Sequence, residues 1–103
     1  MLKLVFFVPG SHKEIVKNAL FEIGVGSIGS YDRCSFEVEG TGQFRPLSNA
    51  NPFIGNNEKL EKVREFKVEM VLENQLGLKA KNTLLKFHPY ETPAFEFYEM
   101  LTF

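Results

Sequence analysis

Residues 2–24 read LKLVFFVPGSHKEIVKNALFEIG, and they predict a β-strand followed directly by an α-helix. The opening residues are short, β-prone and nearly all apolar, as in a strand covered on at least one face. A Pro-Gly pair ends this strand, and Ser11 with Glu14 has the spacing of a capping box at a helix start. Apolar side chains then recur at helical spacing, at Ile15, Val16, Ala19, Leu20 and Ile23. Gly24 suits the left-handed position that closes a helix.

Two later segments alternate between apolar and polar residues, which is the two-residue period of a half-buried strand. In residues 31–39 the apolar positions are Cys34, Phe36 and Val38. In residues 60–73 they are Phe66, Val68, Met70 and Leu72. Between these strands, residues 40–57 are rich in Gly, Pro and Asn, and they predict a long structured loop whose apolar side chains pack against a neighbouring surface.

The rest of the chain predicts a second helix and a last strand. Apolar residues in helical register are Leu76, Ala80, Leu84 and Phe87, and Pro89 ends the helix because the residue before a proline avoids helical geometry. The tail, residues 94–103, is aromatic and strand-like. The order β-α-β-β-α-β predicts an α+β, ferredoxin-like fold, in which a four-stranded antiparallel sheet carries two helices on one face. Residues 1–103 then form a single domain. The other face of the sheet is left uncovered, and we expect a partner to bind there.

Composition excludes some classes of function. The 103 residues carry 12 Lys and Arg against 13 Asp and Glu, and neither sign clusters, so we expect no nucleic-acid surface. No run of about 18 apolar residues is present, so we expect no membrane span. The single cysteine, Cys34, cannot form an internal disulfide and favours a reducing compartment, the cytoplasm.

The segment that follows the second helix is the first candidate site. His88 lies three residues before Glu91, between two prolines that restrain the backbone, and such a pair could ligate a divalent metal. Two ligands are too few for a tight site, so Cys34, Asp32 or His12 would have to help. The structural alternative is a proline-shaped turn in which His88 caps carbonyls at the end of the helix.

The second candidate site is the Gly-rich segment at residues 40–45. Gly40 and Gly42 free backbone N–H groups, Phe44 and Arg45 follow, and such a segment can cradle an anion. The segment lacks the spacing of a phosphate-binding loop, and anchoring a hairpin is the alternative role.

Catalysis by this chain is not expected. Cys34 alternates in phase with Phe36 and Val38, which predicts a buried, inert thiol, and only Arg33 offers the positive charge that a thiolate needs. No nucleophile, base and orienting group can be named together.

Four motifs in order resemble one family. They read GSIGSYDRCSF at 26–36, GTGQFRP at 40–46, NPFIG at 51–55 and HPYETPA at 88–94. Together they resemble the small domain inserted into the Nif-three-like dinuclear-metal proteins, also called type 2 GTP cyclohydrolase homologues, and stand-alone versions of about this length. That insert is similar in fold to the PII signal-transduction proteins and the CutA divalent-cation tolerance proteins, and the CutA proteins carry a similar HPYExP segment.

The resemblance implies a ferredoxin-like fold and a homo-oligomer, a trimer or a dimer, since PII and CutA proteins are trimers. It does not imply a dinuclear metal site in this chain, because the ligands of that site lie in the flanking body of the family's proteins. Thr92 stands where the family usually has a glutamate, which removes a possible second carboxylate ligand. We therefore expect a non-enzymatic, PII/CutA-like oligomeric binding or regulatory module, with a protein partner as a further expectation. The alternatives are a weak divalent-metal-binding or metal-responsive protein, with the metal as cofactor, and a nucleotide sensor that binds at subunit clefts.

Overall fold

A computed structural model describes residues 1–103 and contains four strands and two helices. Their order is β1 (Leu2–Pro9), α1 (Lys13–Glu22), β2 (Phe36–Phe44), β3 (Glu61–Leu72), α2 (Gly77–Phe87) and β4 (Phe95–Glu99), with one 3₁₀ turn, Asn74–Leu76, before α2. The strands form one antiparallel sheet in the order β2-β3-β1-β4. This topology confirms the predicted ferredoxin-like βαββαβ fold.

Both helices cover the same face of the sheet, and the core lies between them and the two central strands. On β3 the core side chains are those of the predicted alternation, and on the nearly all-apolar β1 they are every second residue: Phe66, Val68, Met70 and Leu72, and Leu4, Phe6 and Val8. The helices add Val16, Leu20, Ala80 and Leu84, and Val25 follows α1. Phe95 and Phe97 of β4 pack against this cluster from the sheet edge. The apolar stripes of the sequence therefore located most of the core correctly.

The prediction for β2 was wrong in both its bounds and its buried face. The strand begins at Phe36 and continues to Phe44, so its second half is the segment that was predicted as a loop. Glu37 pairs with Val68 in the register and so points towards the helices. Its carboxylate lies 2.5 Å from Lys13 Nζ and 2.8 Å from Lys17 Nζ, both on α1. This ion-pair network, which an alternation pattern does not reveal, holds Glu37 on the helix side.

The start of α1 also differs from the prediction. His12 is the N-cap residue, and no side chain caps the helix, so the predicted capping box of Ser11 and Glu14 is wrong. The Ser11 hydroxyl instead pairs with Nδ1 of His12 at 2.9 Å. At the other end of the helix, Gly24 has a φ of +102° and its N–H donates to the Phe21 carbonyl, which confirms the predicted helix stop.

The second face of the sheet carries no helix. Side chains on this open face include Phe36, Val38 and Tyr98, which are 65%, 46% and 50% exposed. Lys67 and Glu69 lie across from Val38 and Phe36 on β3. No helix of this fold has the length and apolar character required to cross a membrane.

Candidate functional site

A cleft of about 380 Å³ opens at one end of the open face. Its floor comes from Phe7 of β1, Phe44 of β2 and Glu65 of β3. One wall is the segment that joins β2 to β3, residues 45–54, and the other is the segment between α2 and β4, residues 90–94. The cleft therefore brings together three of the four motifs found in the sequence.

His88 anchors the second wall to the sheet. The residue is buried, with 6% of its surface exposed. The backbone N–H of Tyr90 donates to Nδ1 of His88 at 3.1 Å, so Nδ1 carries no proton. Nε2 then carries the proton and donates to the carbonyl oxygen of Phe7 at 2.7 Å. Burial lowers the pKa of His88, although the bond to Phe7 and the charge of Glu65 act in the opposite direction.

Tyr90 joins this wall to the floor of the cleft. Its hydroxyl donates to Oε2 of Glu65 at 2.7 Å. Burial first, and then this hydrogen bond, raise the pKa of Tyr90 above its usual value of 10.0, since both favour the neutral phenol. Glu65 in turn has room because Gly42, diagonally opposite it on β2, has no side chain, and a Cβ there would collide with the carboxylate. Tyr90 is therefore a neutral hydrogen-bond donor at neutral pH.

Aromatic rings line the cleft and fasten the long loop to it. The Tyr90 ring lies 6.1 Å from the ring of Phe44 and 6.4 Å from that of Phe53, measured between centroids. The Phe53 ring also meets the imidazole of His12 edge-on at 5.4 Å. This confirms that the apolar side chains of the loop pack against a neighbouring surface, which is the end of the open face.

The predicted metal ligands do not converge. Oε1 of Glu91 accepts a hydrogen bond from the backbone N–H of Asn51 at 3.0 Å, whereas both ring nitrogens of His88 are bonded to backbone groups. No group of three or more His, Cys, Asp or Glu side chains is placed to hold a metal ion. The metal site at His88 and Glu91 stays a prediction, and an ion there would have to break one of these hydrogen bonds.

The predicted helper ligands lie at different places in the fold. His12 contacts the cleft through Phe53. Asp32 and Cys34 precede β2, and Cys34 shares a shallow surface pocket with Lys3 and Val71. Lys3 and Phe7 are four residues apart on β1, so Cys34 lies on the order of 13 Å from the cleft at about 3.3 Å per residue. Cys34 is partly exposed, so the prediction of a buried thiol was wrong.

Most of the Gly-rich segment is part of β2, and its role in binding an anion stays a prediction. Gly40 pairs with Glu65 and Gly42 with Val63 in the β2–β3 ladder. Phe44 ends the strand and turns into the cleft, and Arg45 lies 3.9 Å from Glu58 across the loop. The pairing of residues 40–44 with β3 is compatible with the alternative role of anchoring the hairpin.

Two residues of the cleft were not singled out by the sequence. Glu65 belongs to the polar face of β3, where an alternating carboxylate looks like an ordinary solvent-facing residue. Phe53 was noted only as an apolar loop residue. The available signal was a polar strand face preceded by a loop with several apolar residues and by two glycines on the neighbouring strand.

Comparisons with known proteins agree with this architecture. No family model matches the chain. It is 42% identical over 100 residues to the GTP cyclohydrolase 1 type 2 homolog of Halalkalibacterium halodurans. The aligned region covers 97% of this chain and 27% of that protein. The protein of the same name from Bacillus subtilis is 42% identical over 96 residues, which cover 93% of this chain and 26% of that protein. The chain thus spans about a quarter of the length of these relatives.

Solved structures show the same relationship. A Bacillus cereus protein related to NIF3 superposes with a TM-score of 0.80 and 37% identity, over 94% of this chain and 24% of that one. The divalent ion tolerance protein CutA1 from Ehrlichia chaffeensis superposes with a TM-score of 0.71 and 17% identity, over 98% of this chain and 81% of that one. At that identity the CutA likeness shows the fold alone. The chain therefore corresponds to one domain, about a quarter of the full length, of the NIF3-like GTP cyclohydrolase 1 type 2 homologues, and it has a CutA-like fold.

Proposed function

We propose that this chain is a non-enzymatic binding or regulatory module that assembles with copies of itself through the open face of its sheet. The observation that carries the proposal is the exposure of Phe36, Val38 and Tyr98 on that face, since both helices cover the other side. Monomeric proteins rarely leave such apolar surface on a flat sheet uncovered.

Charges on the open face favour a second copy as the partner. Lys3 lies 3.6 Å from Glu69, and Lys67 and Glu96 add one charge of each sign on the strands that flank β1. A face that alternates in sign in this way is complementary to a rotated copy of itself. The resemblance to PII and CutA proteins supports the same assembly.

The hydrogen bonds of the cleft support a binding role in preference to catalysis. The polar atoms of His88 and the phenol of Tyr90 are held by fixed partners on the sheet and in the same segment. A general base must have a free lone pair within reach of a substrate proton, and the imidazole of His88 offers none because both of its nitrogens are bonded to backbone groups. The single Cys34 favours the cytoplasm as the site of action.

The assembly is tested by light scattering coupled to size-exclusion chromatography at micromolar concentration. The wild-type protein should elute at a multiple of the 11.8 kDa chain mass. Val38→Glu should shift it towards the mass of one chain, because a carboxylate is then forced into the interface. The matched control is Leu78→Glu, since Leu78 is 72% exposed on α2, away from the open face. A wild-type protein that is strictly monomeric would overturn the assembly.

A further inference from the structure

The cleft has the size and the walls of a site for a small organic molecule. Sites for such ligands usually measure about 300–1,000 Å³ and combine apolar walls with a few polar groups. Here the volume is about 380 Å³, and half of the sixteen lining residues are hydrophobic. Phe44, Phe53 and Tyr90 supply the aromatic part of the walls.

The charged groups of the cleft leave it negative. Glu65 and Glu91 both line it, and neither forms an ion pair within residues 1–103. Arg45 is the one cation of the lining, and its guanidinium faces Glu58 at 3.9 Å on the loop. Two carboxylates therefore lack a positive partner beside a largely apolar surface.

Each carboxylate has one oxygen placed by the protein and a second without a hydrogen-bond donor. Oε2 of Glu65 accepts from the Tyr90 hydroxyl, and Oε1 of Glu91 accepts from the Asn51 N–H. These bonds fix the two side chains without neutralising them. The remaining oxygens can accept hydrogen bonds from a bound group, and the faces of the aromatic rings attract positive charge as well.

We infer that this cleft binds a small organic cation, an ammonium, amidinium or guanidinium group carried on an apolar body. The apolar body packs against Phe44 and Phe53, while the charged head bonds to the carboxylates of Glu65 and Glu91. A phosphate-bearing ligand would meet like charge there, so the cleft selects against nucleotides. This inference stands independently of the proposed assembly.

The test uses nitrogen-15 NMR titrations of the full chain at low salt with three probes of similar size. Phenethylamine and benzamidine are cations, and phenylacetate is their anionic counterpart. The two cations should shift amide resonances of residues 44–54 and 90–94, and their Kd should be at least tenfold lower than that of phenylacetate. Rising salt should weaken both cations, because exposed charges are screened.

Substitutions test whether the carboxylates of Glu65 and Glu91 bind the cation. Glu65→Gln keeps an acceptor for the Tyr90 hydroxyl and removes the charge. Glu91→Gln keeps an acceptor for the Asn51 N–H and removes the charge at an exposed position. Each should raise the Kd of benzamidine at least fivefold. Glu99→Gln is the matched control and should leave that Kd unchanged, because Glu99 of β4 pairs with Leu2, at the opposite end of β1 from Phe7. If Glu65→Gln fails to fold, judged from its NMR spectrum, Glu91→Gln alone decides.

Several results would overturn the inference: phenylacetate binding as tightly as the cations, shifts that map elsewhere, no shift with any probe, or an unchanged Kd in both cleft variants. Light scattering on the same samples separates this inference from the assembly. A monomer that binds benzamidine in the cleft refutes only the assembly, and an oligomer that binds no cation refutes only the cleft.

Discussion

His88 and Phe7 are 81 positions apart in sequence, yet Nε2 of His88 donates a 2.7 Å hydrogen bond to the carbonyl oxygen of Phe7. The N–H of Phe7 donates in turn to the Ala94 carbonyl at 3.2 Å. Both backbone groups of one β1 residue are thus bonded to the segment between α2 and β4. The imidazole replaces a strand neighbour at the point where the β1–β4 ladder stops, and so it supports one wall of the cleft.

Stability should fall on mild acidification because of His88. Its pKa is lowered from 6.5 in the folded protein, chiefly by burial, so the unfolded chain binds the proton more readily. The contribution of His88 is therefore fully present above about pH 6.5 and is lost as pH falls through the lower folded pKa. We expect the free energy of unfolding in urea to decrease from pH 7.5 to pH 5.5 at fixed protein concentration.

His88→Gln tests the origin of that dependence. The variant should lose about 1–3 kcal/mol at pH 7.5, since a buried hydrogen-bond partner is removed, and should lose most of the slope between pH 7.5 and pH 5.5. His12→Gln is the control and should keep most of the slope, because the charge of His12 is the smallest of the causes that shift the pKa of His88. A slope that survives in His88→Gln would assign the effect to another group.

Divalent metals should bind the isolated chain weakly, and without help from His88. Both nitrogens of this imidazole are engaged, and a metal would have to displace the Tyr90 N–H or the Phe7 carbonyl. Calorimetric titration with Zn²⁺ and Cu²⁺ should give the same affinity for the wild type and for His88→Ala. A tight site that disappears in His88→Ala would establish the metal-binding alternative and show that the segment rearranges.

Glu37 should stabilise the protein at neutral pH. Hydrogen bonds first from Lys13 and then from Lys17 lower the pKa of Glu37 below its usual 4.5, so its contribution is present above about pH 4.5 and is lost as pH falls through the lower folded pKa. Glu37→Gln should cost about 1 kcal/mol at pH 7, in the range for a partly exposed ion pair, and less at pH 3. The control is Glu39→Gln, because Glu39 pairs with Arg64 on a more exposed surface. Equal losses in the two variants would refute a special role for the lysine pair.

The same glutamate shows where sequence reasoning reached its limit. The alternation of Cys34, Phe36 and Val38 gave the right period but the wrong buried face, because β2 is an edge strand with few core contacts. Its inward position is occupied by Glu37, which α1 neutralises with two lysines. Period alone cannot identify the buried face when the charge that compensates a glutamate lies 20 or more residues away.

The central strands were predictable for the opposite reason. β1 and β3 each place one apolar row under the two helices, from Leu4 to Val8 and from Phe66 to Leu72, so the apolar row expected from the sequence is the buried one there. The cleft was only half predictable. The motif at 88–94 was recognised, but its partner Glu65 was hidden among the alternating charges of β3 and became apparent only through the Tyr90 hydroxyl.

A last prediction concerns the loop between α1 and β2, which Gly26 holds against the sheet. The N–H of Gly26 donates to the Val71 carbonyl and its carbonyl accepts from the Cys34 N–H, both at 2.8 Å. With a φ of +85°, a Cβ there would lie 2.7 Å from the Cys34 oxygen. Gly26→Ala should therefore lower the free energy of unfolding by about 2 kcal/mol or more, because a backbone atom must move.

Gly29 provides the matched control for that substitution. Its φ is also positive, at +56°, but a Cβ there would meet nothing within 4 Å. Gly29→Ala should cost only the backbone penalty of about 1 kcal/mol. Urea unfolding of the two variants separates steric contact from backbone strain. If both lose the same amount, the close approach of Gly26 to Cys34 carries no energetic weight, and the loop is held by its backbone conformation alone.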